Sequence, residues 1–366
     1  SVAARLSGDR LEVWAGTLAP EAARIVAAEA GRAALDQTTV YPMPLGDQSG
    51  GAIDTDLMRI AAALARQLGK PVQVSLSREQ VCRNDRPRPP MLARMTALPN
   101  GAGGVSAWGA RVAGSDGLAA ALARLTGKAP RDALAGFDPP YGFPAVAIDL
   151  ARTALPIEVG AMRGGGETFG AFATESFVDE LAHAAGKDPF EFRRDQLTPG
   201  SRQRIVLETV AKRAGWGTPL PEGVGRGIAI VESFGTIAAH VVEASVGADG
   251  RPKVGNVWAV VDCGVVVHPD QAHAQIESGI LLGFSSGMKN EITFKAGQVE
   301  QTNFHNYPLL RMSETPVIDI TFVSSSASPG GLGEVGVPLI MPAIANAVAT
   351  LTGKRIRKLP LMASFA

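Results

Sequence analysis

A glycine-rich stretch near the end of the chain carries a single carboxylate. The stretch reads Gly-Gly-Leu-Gly-Glu-Val-Gly at 330–336, and it follows a β-rich run at 317–323. Its four glycines in seven positions let the backbone turn sharply or approach a ligand closely. Pro342 fits the first turn of a following helix. The pattern therefore predicts that Glu334 stands on a tight loop between a strand and a helix, where a general base could act.

Two other interpretations of this loop stay open on spacing alone. The pattern Gly-x-Gly-x-x-Gly at 331–336 follows a strand, as the dinucleotide-binding fingerprint does. Two prolines would delay the helix, however, and about 20 residues further on the chain offers Lys-Arg-Ile-Arg at 354–357 in place of a ribose-binding acid. Glu334 could also simply cap a helix N-terminus or face solvent.

Length and composition limit the classes of function. The 366 residues suffice for two domains or one large domain in two parts. The content of 46% apolar and 19% charged residues is ordinary for a globular protein, and 42 glycines with 25 prolines indicate many turns. The 35 basic residues balance 35 acidic ones without a basic block, so nucleic-acid binding is not expected.

Side chains that could ligate metals are few. Two cysteines, Cys82 and Cys263, cannot hold an iron–sulfur cluster, which needs about four. The five histidines have no i,i+4 or zinc-finger spacing, so a metal site made of protein ligands is not expected. No apolar run reaches the length of about 18 residues that spans a membrane.

The pattern of apolar residues and turn signals predicts a mixture of helices and strands. A first strand is expected at 10–16. The segment 83–90, rich in proline and arginine, is interpreted as a loop that crosses between elements, and the segment 127–144, rich in proline and glycine, as a linker between subdomains. The predicted helices lie at 20–31, 54–68, 118–125 and 201–214.

A second informative region begins at Arg163, which stands before three glycines. Apolar residues from Phe172 to Leu181 follow helical spacing, and Gly-Lys-Asp-Pro at 186–189 ends that helix. An arginine in such a loop can offer a fixed positive fork to an oxyanion. The alternative is a surface arginine on a flexible loop.

Both regions resemble one family. Gly-Gly-x-Gly-Glu-x-Gly-x-Pro at 330–338, followed by Pro-Ala-Ile-x-Asn-Ala at 342–347, resembles the active-site segment of the molybdenum hydroxylases, the family of xanthine dehydrogenase and aldehyde oxidase. Arg-Gly-x-Gly at 163–166, leading into Ala-x-Glu-Ser-x-x-Asp-Glu-Leu-Ala, is also similar to that family. Within this family, the sequences of these motifs are most similar to the isoquinoline 1-oxidoreductase β-subunit type. The resemblance covers essentially the whole chain.

The resemblance implies a role for each matching residue. Glu334 would be the catalytic base that activates a metal-bound hydroxyl. Arg163 and Gly164 would lie beside the metal centre, Gly333 would contact the cofactor, and Gln275 would hydrogen-bond a metal ligand. By spacing alone, Gln275 could equally be a polar residue on the solvent face of a helix.

The glycine loop at 46–52 departs from the family. In most members of the family this loop is Gly-Gly-Gly-Phe-Gly followed by basic residues, whereas this chain has Gly-Asp-Gln-Ser-Gly-Gly-Ala. Gly46 and Gly50 are the expected cofactor contacts here. The added carboxylate of Asp47 and the missing positive charge would weaken the hold on a phosphate-bearing pterin. This difference supports an alternative function, a non-catalytic assembly or scaffold half with a decayed cofactor loop.

The implied fold is α+β, with two mixed-sheet subdomains at 1–140 and 141–366, packed helices and the site in the cleft between them. The implied reaction is hydroxylation of an aldehyde or N-heterocycle with a water-derived oxygen. The cofactor would be molybdenum-molybdopterin, with a cytosine dinucleotide form as one option. Implied partners are the N-terminal half of the molybdenum subunit with its Gly-Gln-Gly segment and an iron–sulfur subunit. The resemblance slightly favours the periplasm over the cytoplasm.

Overall fold

The fold combines mixed β-sheets with packed helices. A computed structural model describes residues 1–45, 53–128, 134–153 and 155–365. Within these ranges the strands form two four-stranded sheets, one three-stranded sheet and a two-stranded ribbon. The predicted α+β class is therefore confirmed. No helix in the described ranges has both the length and the apolar character needed to cross a membrane.

The N-terminal sheet is packed against two alanine-rich helices. Its elements are β1 (Val2–Ser7), β2 (Arg10–Ala15), α1 (Pro20–Gly31), β3 (Thr38–Pro42), α2 (Asp56–Leu68) and β4 (Val72–Val74). The strand order is β3-β2-β1-β4, and only the β2–β3 pair is parallel. Fully buried alanines of both helices, including Ala23, Ala27, Ala61 and Ala65, allow close packing on Leu11.

A three-stranded sheet follows. Its region contains α3 (Arg78–Asn84), β5 (Met91–Pro99), β6 (Val105–Gly114), α4 (Gly117–Thr126) and β7 (Ala145–Arg152). β6 lies in the middle, antiparallel to β5 and parallel to β7. One face of this sheet packs around Val112 and Phe137, together with the partly buried Ile148 and Leu150. Residues of the other face are exposed or only partly buried among the described parts of the chain, and this face is called the open face below.

The largest sheet carries the central core. The remaining elements are α5 (Glu167–Ala184), α6 (Pro189–Asp195), α7 (Arg202–Arg213), β8 (Val224–Ser233), β9 (Thr236–Val246), β10 (Pro252–Asp262), α8 (Pro269–Met288), β11 (Phe294–Lys295), β12 (Gln298–Val299), β13 (Val317–Phe322) and α9 (Ile340–Thr352). The strand order is β13-β10-β9-β8, and β13 runs parallel to β10. Both faces of the central strands are buried, which explains their nearly continuous apolar sequences.

α9 packs unusually close to β8. A Cβ atom on Gly227 would lie 2.1 Å from the carbonyl oxygen of Ala343 in α9. A Cβ atom on Gly225 would lie 2.4 Å from the carbonyl oxygen of Ala347. Glycine at both positions is therefore a packing requirement, and it allows the helix that follows the Glu334 loop to sit directly on the sheet.

A buried ion network links α5 to its neighbours. The fully buried Arg193 of α6 donates from Nε to Glu175 Oε2 at 2.9 Å, and the Tyr141 hydroxyl donates to Glu175 Oε1 at 2.7 Å. The Ile230 N–H of β8 also donates to Glu175 Oε2, at 3.1 Å. Removing one partner of such a buried pair costs about 3–5 kcal/mol, so the network strongly fixes α5 against α6 and β8.

The sequence predictions hold best for long, capped helices. The helices predicted at 20–31, 54–68 and 201–214 occur within two residues of those bounds. The elements that were not predicted include β1, α3, β7, α6 and the short ribbon of β11 and β12. The linker interpretation of 127–144 is wrong for its described part, because Phe137, Tyr141 and Phe143 are buried there. The boundary between 1–140 and 141–366 stays a prediction, and β7 beyond it pairs with β6 before it.

His240 is buried in the middle of β9 without a hydrogen-bond partner for either ring nitrogen among the described residues. Its ladder neighbours are Ala229 on β8 and Ala259 on β10. Burial lowers the pKa of His240 to about 3. The folded protein therefore holds a neutral imidazole, whereas the unfolded chain binds a proton near pH 6.5.

We expect His240 to make the fold acid-sensitive. Between pH 6.5 and pH 3 the unfolded state binds the extra proton, so stability falls as the pH falls. This effect reaches about 2 kcal/mol at pH 5. Urea unfolding at pH 7 and pH 5 should therefore show a smaller pH-dependent loss for His240→Leu than for the unchanged protein. Equal losses of unfolding free energy in the two proteins would contradict this assignment.

Candidate active site

The loop that carries Glu334 is fixed at the ends of strands in the largest sheet. The Gly330 N–H donates to the carbonyl of Cys263, directly after β10, at 2.8 Å. The Gly331 N–H donates to the carbonyl of Phe234, in the turn between β8 and β9, at 2.9 Å. Glu334 follows three residues later and is partly buried. The carboxylate thus stands on an anchored backbone, between a strand and a helix as predicted.

Glycines let α8 touch this loop. A Cβ atom on Gly336 would lie 2.7 Å from the carbonyl oxygen of Ile276, and one on Gly279 would lie 3.0 Å from the Cα atom of Gly336. One turn further along α8, a Cβ atom on Gly283 would lie 2.4 Å from the carbonyl oxygen of Val337. Helix backbone and loop backbone are therefore in direct contact, and side chains at these glycine positions would separate them.

Arg163 connects the loop to α8. Its side chain is only 8% exposed. Nε donates to the Gly333 carbonyl, Nη1 donates to Ser278 Oγ at 2.8 Å, and Nη2 donates to Gln275 Oε1 at 2.7 Å and to the Gln275 carbonyl at 3.0 Å. The interpretation of Arg163 as a surface residue on a flexible loop is therefore wrong. Its planar fork orients the residues around it.

Gly164 contacts Glu334 directly. The Gly164 N–H donates to Oε2 of the Glu334 carboxylate. Gly164 has φ +91°, and a Cβ atom there would lie 2.5 Å from Thr168 Oγ1 and 2.6 Å from Val337 Cγ1. Both the backbone conformation and the available space therefore require glycine. The result is a backbone donor aimed at the predicted base.

Gln275 lies in the second turn of α8 and lines two cavities. The larger cavity, of about 520 Å³, is also lined by Arg163, Ser278 and Leu282. The smaller cavity, of about 250 Å³, is mainly apolar, with Leu332 of the Glu334 loop in its wall. Arg163 binds the Gln275 side-chain oxygen, and the amide nitrogen donates to no residue in the described ranges. Gln275 therefore presents N–H donors at the cavities.

The structure brings five of the seven predicted site residues together: Glu334, Arg163, Gly164, Gln275 and Gly333. A Cβ atom on Gly333 would meet no atom within 4 Å, so this glycine contributes through its carbonyl. Gly46 and Gly50 lie outside the described residues. Across the described ranges no group of three His, Cys, Asp or Glu side chains could hold a metal ion. The roles of the assembled residues stay predictions.

Arg88 belongs to the same cluster, although no sequence pattern indicated it. Its Nη2 donates to the Arg163 carbonyl at 3.2 Å. Burial lowers the pKa of Arg88 to about 10, and the nearby Tyr307 and Glu334 oppose this shift. The buried Nε of Arg88 has no hydrogen-bond partner within the described part of the chain. The only sequence signal was its place in the crossing at 83–90, which several arginines share.

Glu167 is a second carboxylate near the site, and it was not among the predicted site residues. It begins α5, and the hydroxyl of Ser233 donates to it at 3.0 Å. Burial raises the pKa of Glu167, and the nearby carboxylates of Asp116 and Glu334 raise it further. The sequence carried a usable signal, because Gly-Gly-Gly-Glu at 164–167 places a carboxylate after a glycine loop, as at Glu334.

The dinucleotide interpretation of 331–336 loses support. That fingerprint needs a helix N-terminus directly at the glycine loop. Here a turn follows, with the Val337 N–H donating to the Glu334 carbonyl at 3.0 Å, and α9 begins only at Ile340. The loop directs a side chain into the cluster instead of opening a helix toward a pyrophosphate.

Sequence comparison places these features in a known family. Two family models, each described as molybdopterin cofactor-binding domain, match residues 1–197 and 173–316. The chain is 30% identical to the beta subunit of isoquinoline 1-oxidoreductase from Brevundimonas diminuta over 369 residues, which cover 97% of this chain and 46% of that protein. It is 29% identical to a subunit of nicotinate dehydrogenase from Pseudomonas putida, covering 98% of this chain and 32% of that protein.

Solved structures share the fold. Quinoline 2-oxidoreductase from Pseudomonas putida 86 superposes with a TM-score of 0.81 at 14% identity, over 96% of this chain and 71% of that one. The aldehyde oxidoreductase from Desulfovibrio gigas gives a TM-score of 0.80 at 14% identity, over 98% of this chain and 58% of that one. At this identity the superpositions show the fold alone.

The chain spans less than half the length of these two curated relatives. The first family match alone covers more than half of this chain. The chain therefore belongs to the molybdenum hydroxylase family, as a molybdopterin cofactor-binding domain of the kind found in xanthine dehydrogenase and aldehyde oxidase.

Proposed function

We propose that this chain is part of the large subunit of a molybdenum-dependent oxidoreductase that hydroxylates an aldehyde or an N-heterocycle with a water-derived oxygen. The observation that carries the proposal is the contact of the Glu334 carboxylate with the Gly164 N–H, next to the Arg163–Gln275 pair. The names of the relatives, which include isoquinoline 1-oxidoreductase, nicotinate dehydrogenase and aldehyde dehydrogenase, support this substrate class.

Two donor groups of the cluster fit an anionic, oxygen-rich cofactor. The amide nitrogen of Gln275, which lines the larger cavity, and the buried Nε of Arg88, which lies beside Arg163, both have donor capacity that no described residue uses. Buried donors without a partner are rare in proteins, so an external acceptor is a natural complement. Gln275 would donate to the molybdenum cofactor, while Arg163 would keep Gln275 and Gly333 in position. Bound there, the cofactor would supply two-electron redox chemistry and the activation of water.

The residues of this chain would then handle the proton and the charge. Glu334 accepts the proton that the water-derived oxygen releases before it bonds to the substrate carbon. The Gly164 N–H fixes the orientation of the carboxylate, and the neighbouring guanidinium groups of Arg88 and Arg163 stabilise negative charge on oxygen in the transition state. Preorganised donors of this kind need no reorganisation during the reaction, because the hydrogen bonds of Arg163 to Gly333, Ser278 and Gln275 already hold this loop in place.

Further polypeptide is needed to carry the electrons away and to complete the cofactor site. We propose iron–sulfur centres on a partner chain as the exit for the two electrons, and a further part of the molybdenum subunit that carries the Gly-Gln-Gly segment. A cytosine dinucleotide extension of the cofactor is compatible with this arrangement. More than half of the length of the curated relatives lies outside the region that this chain matches, which leaves room for these parts.

The scaffold alternative predicts a different metal content. Its supporting feature, the altered loop at 46–52, lies outside the described residues, whereas the assembled Glu334 cluster favours catalysis. We expect near-stoichiometric molybdenum in the assembly purified from its native host, measured by inductively coupled plasma mass spectrometry. A folded, fully partnered assembly without molybdenum would support the scaffold function instead.

Replacing the base tests the catalytic role. Glu334→Gln keeps the shape of the side chain but removes the proton acceptor, so we expect turnover of aldehydes or N-heterocycles to fall by about 10³-fold with molybdenum content unchanged. Glu277→Gln is the matched control, because Glu277 lies on α8 with its side chain half exposed. The control should retain full turnover. Retained turnover in Glu334→Gln would remove Glu334 from the mechanism.

The backbone donor gives a second test. In Gly164→Ala, the new methyl group would meet Thr168 Oγ1 and Val337 Cγ1, so the N–H must move away from Glu334. We expect turnover to fall by about 10²-fold, the scale of a 1 Å misplacement. Gly69→Ala is the control, since Gly69 also has positive φ (+60°) but open space around it. It should lose about 1 kcal/mol of stability and no activity. Equal activity in both variants would contradict this role for Gly164.

A further inference from the structure

β7 has an unpaired edge. Among the described strands it pairs only with β6, at the end of the order β5-β6-β7. The sequence Ala-Val-Ala-Ile-Asp-Leu-Ala-Arg is mostly apolar, and most of its residues are exposed, including Val146 at 44%. Long, flat apolar edges are pairing templates that proteins normally protect with charges, prolines, bulges or a covering element. The first four residues of β7 contain no charge or proline, and none of the described residues pairs with their outer side.

The backbone groups on that edge can be assigned. The Thr153 N–H, directly after β7, donates to the Gly114 carbonyl of β6 at 3.2 Å. Successive residues of a strand direct their N–H and C=O groups to opposite sides, so alternate residues before Thr153 also face β6. The peptide groups of Val146, Ile148 and Leu150 therefore point to the free edge. These are obligatory hydrogen-bonding groups that a further strand would satisfy.

Half of the residues on the open face of the same sheet are alanine or glycine. Alternation along the three strands places these residues on it: Leu92, Arg94, Thr96, Leu98, Ala107, Gly109, Arg111, Ala113, Ala145, Ala147, Asp149 and Ala151. Leu92 and Leu98 are 73% and 62% exposed. The alanines and the glycine of this face allow another layer of backbone to approach closely, and the exposed leucines would be buried by that layer.

A row of charges crosses the middle of this face. Arg94 lies opposite Arg111 on the neighbouring strand, and Arg111 lies beside Asp149 at 3.9 Å between Nε and Oδ2. Like charges placed directly opposite each other are destabilising in a sheet. The row holds two arginines and one aspartate, and Asp149 pairs only with Arg111 among the described residues, so an acidic side chain on a covering layer would complement Arg94.

We propose that the remainder of the molybdenum subunit docks on this sheet by adding an extended strand to the free edge of β7, and covers the open face with a layer that carries a carboxylate near Arg94. This inference rests on the proposed function, in which the chain works with a further part of that subunit. The occupant is long enough to supply a strand and a layer, since more than half of each curated relative lies outside the matched region.

Hydrogen exchange on the assembly purified from its native host tests the added strand. In a sheet that ends at β7, the amides of Ala147 and Asp149 are bonded to β6, whereas those of Val146, Ile148 and Leu150 are open. With a strand added, we expect all five amides to exchange at least about 10²-fold more slowly than an unprotected amide. Fast exchange at Val146, Ile148 and Leu150 in the intact assembly would overturn the proposal.

A proline variant tests the hydrogen bonds of this edge. Val146→Pro removes an N–H that faces away from β6, and proline is tolerated at such edge positions. In the assembly we expect the amides of Ile148 and Leu150 to exchange at least about tenfold faster in the variant. The peptides of β9 should keep their protection, which shows that the fold is intact. Unchanged exchange at Ile148 and Leu150 would contradict strand addition.

Cross-linking identifies the occupant. A photoreactive benzoylphenylalanine in place of Ala147 should cross-link, in the assembly, to a peptide from the remainder of the molybdenum subunit. The same group in place of Leu68, which is 57% exposed on α2, is the matched control and should give no cross-link to that peptide. A cross-link from position 147 to a second copy of this chain, to an iron–sulfur chain or to nothing would overturn the proposal. None of these measurements depends on turnover, so the docking surface and the catalytic proposal can fail separately.

Discussion

The direct contact between α8 and the loop around Gly336 determines where Glu334 can stand. Helix and loop meet backbone to backbone at Gly279 and Gly336, without side chains between them. A contact of this kind tolerates almost no displacement, because even one methyl group would have to move the helix or the loop. The contact also brings Gln275, one turn earlier on α8, within reach of Arg163. The polar cluster therefore depends on a packing constraint that involves no polar side chain.

The position of the Arg163 loop depends on a second constraint, which acts on α5. Its loop leads directly into α5, and α5 is held by the buried pair of Glu175 with Arg193. A buried ion pair adds little net stability compared with an apolar substitute, but it enforces one geometry, since a lone buried charge is so unfavourable. The pair fixes the position of α5. Gly164 lies just before the first residue of α5, so its N–H is held in a position to donate to Glu334. The network therefore contributes specific geometry more than stability.

Part of this arrangement could be predicted from the sequence, and the rest could not, for physical reasons. Glu334 and Arg163 could be found because glycines that serve close backbone contacts leave a pattern in the chain. Arg88 could not, because its role arises from burial beside residues more than seventy positions away, and nothing near it distinguishes it from other arginines. The same limit explains the segment at 134–144, where proline and glycine suggested a linker. Its aromatic side chains fill a tertiary gap that local patterns do not record.

The open edge and the site are neighbours along the chain. β7 ends at Arg152, and the next ten residues lead to Arg163 across a tight passage. In that passage the Gly160 N–H donates to the Pro87 carbonyl at 3.0 Å, and a Cβ atom on Gly117 would lie 1.9 Å from the Gly160 carbonyl oxygen. The segment between β7 and the site is thus held at Gly160, close to its Arg163 end. The strand that we propose to be added to β7 would fix the other end of this segment. One short segment thus joins the proposed interface to the candidate catalytic cluster, in which Arg163 is already held by its hydrogen bonds to Gly333, Ser278 and Gln275.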